Sequence, residues 1–256
     1  MTKTFLISGA GTGIGRAICL QLQAQNPSAS FVLLGRNEKN LRETHALLNP
    51  KNEHAIAVAD IRKPGEVNAA LARTNLAGRG LYGVVANAGV GGGNTYGTDD
   101  RWDEVLDTNL KGAYILFNEA ACALRASPHE YRHVLFISSI LARIGVPGYS
   151  AYCASKAGLL GLTRALAVQH SSEKILVNAI CPGWVETDMA KNGISAIAAA
   201  TGKSFDESYA REMRQVPLGK MSQPEEIGAL AAYLMSDGQR SITGQSLDIN
   251  NGAVMV

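Results

Sequence analysis

Apolar and polar positions along the chain follow two alternating patterns. Short apolar runs rich in β-branched residues are separated by longer segments in which apolar residues recur at helical spacing. The runs predict strands over residues 4–8, 30–34, 54–59, 82–86, 133–138, 175–180 and 246–249. The longer segments predict helices over residues 13–24, 39–48, 64–76, 102–126, 149–170 and 224–235. We therefore expect an α/β fold, a doubly wound sheet of about seven parallel strands with helices on both faces.

The segment after the sixth predicted strand follows this alternation least clearly. Residues 195–201 predict a weak helix, and residues 203–216 predict a second, charged helix. Long segments after a strand end often close over ligands, which favours a substrate lid over residues 189–221; a packed surface excursion is the alternative. No linker-like composition or internal repeat divides the chain, so we expect one domain over residues 1–256.

Composition and charge favour a small-molecule partner. The 256 residues carry 24 basic and 22 acidic side chains without a block of like charge, which argues against nucleic-acid binding. The four cysteines lie far apart, without metal-ligand spacing, so we expect neither a metal site nor a disulfide framework. Residues 1–9 lack the long apolar region of a signal peptide, and no stretch is long enough to span a membrane. We expect a cytoplasmic protein without a membrane partner.

The strongest chemical signal is Ser139 followed by Tyr152 and, four residues later, Lys156. A phenol is a poor acid, with a pKa of about 10, and a nearby cation stabilises the phenolate. Positions i and i+4 share a helix face, so the ammonium can lie beside the ring or beside a ligand that the ring touches. Ser139 follows a predicted strand, where ligands of parallel sheets bind. The three residues together predict that Tyr152 acts as an acid and that Lys156 lowers its pKa. The Tyr152–Lys156 pair alone could also be part of a solvent-exposed helix edge.

A glycine-rich turn follows the first predicted strand and opens the first helix. Its glycines have the spacing Gly-x-x-x-Gly-x-Gly, formed by Gly9, Gly13 and Gly15, with Thr12 and Ile14 between them. Backbone amides and the helix dipole at such a place can receive a pyrophosphate. The turn predicts a nucleotide site, although an ordinary strand-to-helix turn would contain similar glycines.

With these features in this order, the chain closely resembles the short-chain dehydrogenase/reductase family in its single-domain form. The resemblance covers nearly all 256 residues, and bacterial 3-oxoacyl and polyketide ketoreductases are the most similar members. Further matches are Asp60 with Ile61, Asn87 with Gly89, Asn109, and Pro182 and Gly183 with Thr187. The family fold is a Rossmann-like sheet, in agreement with the predicted elements.

The resemblance implies a role for each matching residue. Hydride would pass between a nicotinamide and a carbonyl carbon while Tyr152 donates a proton and Ser139 holds the oxygen. Lys156 would contact the nicotinamide ribose, and Asn109 would hold a water that links the lysine to solvent. The implied cofactor-binding residues are Gly9, Thr12, Gly13, Ile14, Gly15, Arg36, Asp60, Ile61, Asn87, Gly89, Tyr152, Lys156, Pro182, Gly183 and Thr187.

The end of the second predicted strand bears on which nicotinamide cofactor is used. Relatives that use NAD commonly have an aspartate where this chain has Gly35, and Arg36 follows immediately. A guanidinium suits a 2′-phosphate, which favours NADP(H), with NAD(H) possible. Many relatives that use NADP carry a second basic residue where this chain has Thr12. An ordinary solvated arginine at position 36 would leave the preference undecided.

The sequence is compatible with three functions: an NADP-dependent carbonyl reductase, an NAD-dependent sugar or alcohol dehydrogenase, and a nucleotide-sensing regulator without catalysis. The intact catalytic set favours the first. In 3-oxoacyl carrier protein reductases, basic residues meet the acidic carrier, whereas Glu130 and Glu173 stand at those places here. Repulsion there leaves a free ketone or a coenzyme A thioester as the expected substrate. Family members commonly form tetramers through the two long helices around the Ser139 strand, so we expect a homo-oligomer, a tetramer or a dimer.

Overall fold

Seven parallel strands form one sheet in the computed structural model, which describes residues 1–74 and 80–255. The strands are β1 (Thr4–Ser8), β2 (Ser30–Gly35), β3 (Ala55–Val58), β4 (Gly83–Ala86), β5 (Arg132–Ile137), β6 (Ile175–Pro182) and β7 (Ser246–Ile249). Their spatial order is β3-β2-β1-β4-β5-β6-β7, and every neighbouring pair is parallel. The predicted doubly wound sheet is confirmed. The order reverses between β1 and β4, which opens a crevice at their carboxyl ends.

Helices cover both faces of the sheet. They are α1 (Gly13–Gln25), α2 (Glu38–Leu47), α3 (Pro64–Ala72), α4 (Trp102–Leu106), α5 (Gly112–Arg125), α6 (Ser150–Gln169), α7 (Asp188–Thr201), α8 (Phe205–Met213) and α9 (Pro224–Leu234). Alternate strand residues enter separate buried clusters, because successive side chains of a strand point to opposite faces. Leu6 joins a cluster with residues of α3, α5 and α6, whereas Phe5 and Ile7 join a cluster with α1 and α9. The predicted helix 64–76 begins as expected, and its last two residues lie outside the described residues.

The predicted helix over residues 102–126 is interrupted. A π-helical turn at Asp107–Lys111 separates α4 from α5, so the chain makes one wide turn at the position of Asn109. Such turns occur frequently at functional sites because they change the direction of a side chain within a helix. The chain is helical over nearly all of the predicted residues, but a helical hydrophobic period does not reveal the extra residue in the π turn.

The segment after β6 is more helical than its sequence predicts. Helix α7 begins at Asp188 rather than at residue 195, because the Thr187 side chain caps it by accepting a hydrogen bond from Ala190 N at 3.3 Å. Helix α8 begins after Ser204, which forms a reciprocal capping box with Glu207. A small apolar cluster joins the two helices to the chain that follows them. Within the described ranges, no helix combines the length and the hydropathy that a bilayer crossing requires.

Candidate active site

Two cavities lie at the carboxyl ends of the central strands. The larger has a volume of about 520 Å³ and the smaller about 200 Å³. They share the lining residues Gly9, Thr12, Ala88 and Gly89. The glycine turn after β1 therefore borders both cavities, at the point where the strand order of the sheet reverses.

The glycine turn is packed too closely for side chains. A Cβ on Gly15 would lie 2.1 Å from the Gly9 carbonyl oxygen and 2.6 Å from Asn87 Nδ2. Gly9 has a φ of +65°, a left-handed conformation that favours glycine. Thr12 precedes α1 without a side-chain cap. The first amides of α1 thus face the cavity without an internal acceptor, which suits an anionic ligand.

Ser8 holds this turn against the loop after β4. Its Oγ accepts hydrogen bonds from the backbone amides of Asn87 and Ala88, both at 3.1 Å. In return, Asn87 Nδ2 donates to the carbonyls of Ser8 and Gly9, also at 3.1 Å. Asn87 therefore shapes the floor of the crevice. The part played by Ser8 was missed, since a serine at a strand end carries no distinctive signal.

The smaller cavity contains three further residues of the implied cofactor-binding set. Arg36, Asp60 and Ile61 line it together with Gly35 and Asn37. Across residues 1–74 and 80–255, the Arg36 guanidinium has no hydrogen-bond or ion-pair partner among the side chains around it. It is exposed beside the cavity and free to bind an anion.

Asp60 is engaged by a residue that sequence reasoning missed. Arg62 donates from Nε to both Asp60 carboxylate oxygens at 3.0 Å and from Nη2 to Oδ2 at 2.6 Å. This pairing lowers the pKa of Asp60 to about 2. The carboxylate in the smaller cavity is thus neutralised by an adjacent cation, and its repulsion of a phosphate is reduced.

Ser139, Tyr152 and Lys156 line the larger cavity together. Ser139 follows β5 and accepts a hydrogen bond from Leu141 N at 3.2 Å, which caps a short 3₁₀ turn. Tyr152 lies in the first turn of α6, and Lys156 lies one turn later. The Lys156 Nζ lies 5.6 Å from the centroid of the Tyr152 ring and donates to the Ile137 carbonyl at 2.9 Å. The predicted shared face is observed.

The predicted direction of the tyrosine pKa shift was wrong. Burial raises the pKa of Tyr152 to about 12, and a hydrogen bond with the Ser139 hydroxyl opposes the rise. Burial also lowers the pKa of Lys156 to about 8. The helical spacing revealed the proximity of the two groups but neither the desolvation of both nor the bond between the ammonium and the Ile137 carbonyl. The phenol is therefore neutral at pH 7 and can act as a proton donor.

Asn109 lies in the π turn beside this cavity and is almost fully buried. Its Oδ1 accepts from Val90 N at 2.8 Å, and its Nδ2 donates to Val90 O at 3.0 Å and to Ser155 Oγ at 3.1 Å. A Cβ on Gly89 would lie 3.1 Å from the Asn109 Oδ1 and 3.6 Å from Lys156 Nζ. Asn109 thus fastens the loop after β4 to α6, close to the lysine.

Pro182, Gly183 and Thr187 line the opposite wall. The Gly183 amide donates to the Ile249 carbonyl at 3.0 Å, which continues the pairing of β6 with β7. A Cβ on Gly13 would lie 3.1 Å from Thr187 Cγ2, so the loops after β1 and β6 meet here. These positions agree with a binding wall for the nicotinamide end of a dinucleotide.

The substrate side of the cavity is mainly apolar. Trp184, Tyr149 and Val146 line it, together with Gly91 and Gly92. Tyr96 of the same loop is 91% exposed and lies outside the lining, because the loop turns away after Gly92.

Helices α7 and α8 and the turn after α8 add residues to this wall that sequence reasoning did not single out. Met189, Ile197, Glu212 and Gln215 line the cavity. A Cβ on Gly91 would lie 3.0 Å from Met189 Sδ, so α7 reaches across to the loop after β4. The segment predicted as a lid therefore contributes directly to the site.

Comparisons with known proteins agree with this geometry. A profile of the family described as Enoyl-(Acyl carrier protein) reductase matches residues 9–254. A 3-oxoacyl-(acyl-carrier-protein) reductase FabG of Rickettsia prowazekii (strain Madrid E) is 33% identical over 260 residues, 99% of this chain and 98% of the relative. The FabG of Staphylococcus aureus (strain Mu50 / ATCC 700699) is 33% identical over 262 residues, 100% of this chain and 99% of the relative.

Solved structures show the same fold. A single-residue variant of actinorhodin polyketide ketoreductase, solved with NADPH, superposes with a TM-score of 0.91 at 30% identity, covering 98% of this chain and 97% of that chain. Levodione reductase superposes with a TM-score of 0.87 at 26% identity, covering 98% and 96% respectively.

Proposed function

The chain belongs to the short-chain dehydrogenase/reductase family, and from this premise we propose that it is an NADPH-dependent reductase of ketones or 3-oxoacyl thioesters. Its general activity is that of a nicotinamide-dependent oxidoreductase acting between C=O and CH-OH groups. The observation that carries the proposal is that Ser139, Tyr152 and Lys156 share one cavity with the glycine turn of Gly9 and Gly13. A phenol, a hydroxyl and an ammonium beside a nucleotide site can transfer a proton to a carbonyl oxygen. A protein that only binds a nucleotide does not need this chemistry.

The residues around both cavities fit a nicotinamide dinucleotide, which supplies the hydride when bound. The glycine turn and the amides of α1 would hold its pyrophosphate. Asp60 and Ile61 would lie beside the adenine, and Pro182, Gly183 and Thr187 beside the nicotinamide. Asn87 and Gly89 would form the floor between these ends.

Arg36 supports NADP(H) over NAD(H). Its guanidinium is free beside the smaller cavity, where a 2′-phosphate can accept two parallel hydrogen bonds from it. The carboxylate in that lining, Asp60, is neutralised by Arg62. A site built for the ribose hydroxyls of NAD would place an acidic side chain where this chain has Gly35.

The catalytic roles follow from the protonation states. Tyr152 is neutral at pH 7 and donates its proton to the substrate oxygen, while the Ser139 hydroxyl holds that oxygen. Lys156 has a pKa of about 8, so its ammonium is mostly charged at pH 7 and stabilises the phenolate that forms. Asn109 keeps the loop beside Lys156 in place and would hold a water that links the lysine to solvent.

The chain acts as a single catalytic domain in this proposal, with residues 189–221 as its lid. Met189 and Ile197 of α7, Glu212 of α8 and Gln215 just after α8 would close over a bound substrate. Their apolar neighbours favour a substrate with a hydrophobic body.

The structure weakens the electrostatic objection to a carrier-protein substrate. Glu130 forms an ion pair with Lys174, and Glu173 pairs with Arg125 and with His170. Each carboxylate is therefore screened by a cation or a histidine, and its repulsion of an acidic carrier protein is weaker than the sequence implies. We keep a free ketone or a coenzyme A thioester as the proposed substrate. The substrate screen below also includes a carrier-protein thioester.

A homo-oligomer is also proposed. Tyr114 on α5 and Val168 on α6 are exposed apolar residues, 49% and 79% exposed, on the two helices that would form the interface. Light scattering of the purified protein would test it, with a tetramer expected, or a dimer.

The decisive experiment is a substrate screen that follows NADPH absorbance. Diketones, cyclic ketones, quinones, and 3-oxoacyl groups on coenzyme A and on carrier protein are each offered to the wild-type protein and to Tyr152→Phe. We expect turnover by the wild type and a loss of about 10²- to 10⁴-fold in Tyr152→Phe, with the NADPH Kd unchanged within about twofold. The control is Tyr96→Phe, which alters an exposed tyrosine outside the cavity.

Two results would overturn the proposal. A wild type that binds NADPH and reduces nothing in the screen would favour the nucleotide-sensing regulator. Turnover of sugars or alcohols with NAD, but not of ketones with NADPH, would favour the dehydrogenase.

A further inference from the structure

Asn94, in the loop after β4, uses its backbone amide and both ends of its side chain. Its N donates to the Gly148 carbonyl at 2.7 Å, and its Nδ2 donates to Asp100 Oδ1 at 3.2 Å. Its Oδ1 accepts from Ser150 Oγ and from Ala151 N, both at 3.1 Å. Asn94 is buried, and its bond to the Ala151 amide is shielded from competing water, whereas the bonds to Ser150 and Asp100 are part-buried.

The bond to Ala151 gives α6 a cap that its own sequence lacks. The first amides of a helix have no acceptor within the helix, and Tyr149 at the N-cap position makes no side-chain cap bond. Asn94 Oδ1 supplies that acceptor from 57 residues earlier in the chain. The next residue after Ala151 is Tyr152. The start of the helix that carries the proposed acid is therefore fixed by a distant side chain.

Asn94 also belongs to the loop that forms the substrate side of the larger cavity. Gly91 and Gly92 of this loop line the cavity, as does Tyr149. A Cβ on Gly93 would lie 3.0 Å from the Gly148 carbonyl oxygen, so the loop and the turn before α6 touch backbone to backbone. A shift of this loop would move the first turn of α6 with it.

We propose that Asn94 is a positioning residue that holds the Tyr152 phenol in register with the Ser139 hydroxyl and with the substrate-side loop. The inference rests on the proposed function, because it assigns Asn94 to the geometry of proton transfer. Without the cap, the first turn of α6 frays and the phenol is displaced. A misplacement of about 1 Å can cost about 10²-fold in rate.

The test compares three variants with the wild type. Asn94→Ala removes the cap. Asn94→Asp combined with Asp100→Asn keeps an acceptor for Ala151 N, and the amide introduced at position 100 donates back to the new carboxylate. The matched control is Asn68→Ala, which removes one exposed hydrogen bond to Glu119 far along the chain. Each protein is measured for kcat, for the NADPH Kd and for hydrogen exchange of the amides at residues 151–153.

We expect kcat to fall about 10- to 100-fold in Asn94→Ala, with the NADPH Kd within about twofold of the wild type. Exchange of the Ala151 amide should rise about tenfold, since this amide loses its acceptor. The double variant should recover kcat to within about threefold of the wild type, and Asn68→Ala should match the wild type.

A kcat within about twofold of the wild type in Asn94→Ala would overturn the proposal. So would a double variant that keeps the cap, as judged by exchange, but shows the same loss of kcat. If Asn94→Ala does not fold, the double variant still tests the proposal through its kcat and its amide exchange. If the wild type reduces no carbonyl compound, the proposed function fails, whereas hydrogen exchange separately shows whether Asn94 caps α6.

Discussion

Buried His133 should make the fold less stable in weak acid. Replacing this residue should remove that pH dependence. The residue is 2% exposed within β5, and neither ring nitrogen has a partner at good hydrogen-bond geometry among the described residues. Its ring packs 5.0 Å from the Tyr82 ring. Lys3 and Asp237 form an ion pair at 2.8 Å beside it, and Tyr82 donates to Asp237.

Burial lowers the pKa of His133 from 6.5 to about 4; the Lys3 ammonium adds to the shift, and the Asp237 carboxylate and the Leu234 backbone oppose it. The neutral ring is compatible with the fold, so stability is complete above pH 6.5. Below that pH, the unfolded chain binds a proton that the folded protein excludes. The difference between 6.5 and about 4 corresponds to about 3 kcal/mol, which is lost as the pH falls through that range.

The assay is urea unfolding of the wild type and of His133→Leu at one protein concentration, at half-unit steps from pH 7.5 to 4.5. Across the acidic part of this range, the wild-type free energy of unfolding should fall about 1.4 kcal/mol per pH unit more steeply than that of the variant. At pH 7.5, where the histidine is neutral in both states, the two proteins report only the packing difference. Parallel curves for the two proteins would refute the reasoning, because they would show that His133 is not the group that titrates.

Three further predictions concern the nucleotide site. Gly15→Ala should lower the free energy of unfolding by about 1 to 3 kcal/mol and abolish NADPH binding, since the new Cβ would collide with the Gly9 carbonyl; an unchanged melting temperature would contradict the close packing. Arg36→Ala should weaken NADPH binding about 10- to 100-fold and NADH binding less than about twofold by fluorescence titration, with Arg42→Ala as the control; equal effects on both cofactors would contradict the assignment. Because burial lowers the pKa of Lys156 to about 8, its charge is present below that pH and lost above it, so kcat/KM should decline as the pH rises through about 8; a flat profile from pH 7 to 9.5 would exclude a charged lysine from the rate.

The strands could be predicted closely because their apolar runs end at turn residues. The bounds of β1 and β7 were predicted without error, whereas β6 continues to Pro182, two residues beyond the predicted end at residue 180. That extension pairs Pro182 with Ile249, a partner that appears only when β7 is in place. The apolar pattern of a segment predicts where a strand lies. It does not predict how far the strand extends when its end pairs with a segment distant in the chain.

The residues of the site could be named from motifs, but their electrostatics could not. The spacing of Tyr152 and Lys156 placed both on one helix face, and the structure shows them in one cavity. Their pKa values are shifted mainly by burial, which the motif does not describe. Asn94 escaped notice because its contact with Ala151 joins residues 57 positions apart. Arg62 pairs with a residue only two positions away, but an Asp-x-Arg pair in a loop carries no distinctive signal.

The walls of the two cavities come from distant stretches of chain that meet only when the sheet is complete, among them the turn after β1, the segments after β2, β3, β4, β5 and β6, and the start of α6. A partly assembled intermediate therefore has little affinity for a dinucleotide. Free ligand then stabilises the finished fold alone by mass action, and each tenfold excess over its Kd adds about 1.4 kcal/mol. In a cell, the cofactor pool would thus set how much of this protein survives heat and proteases.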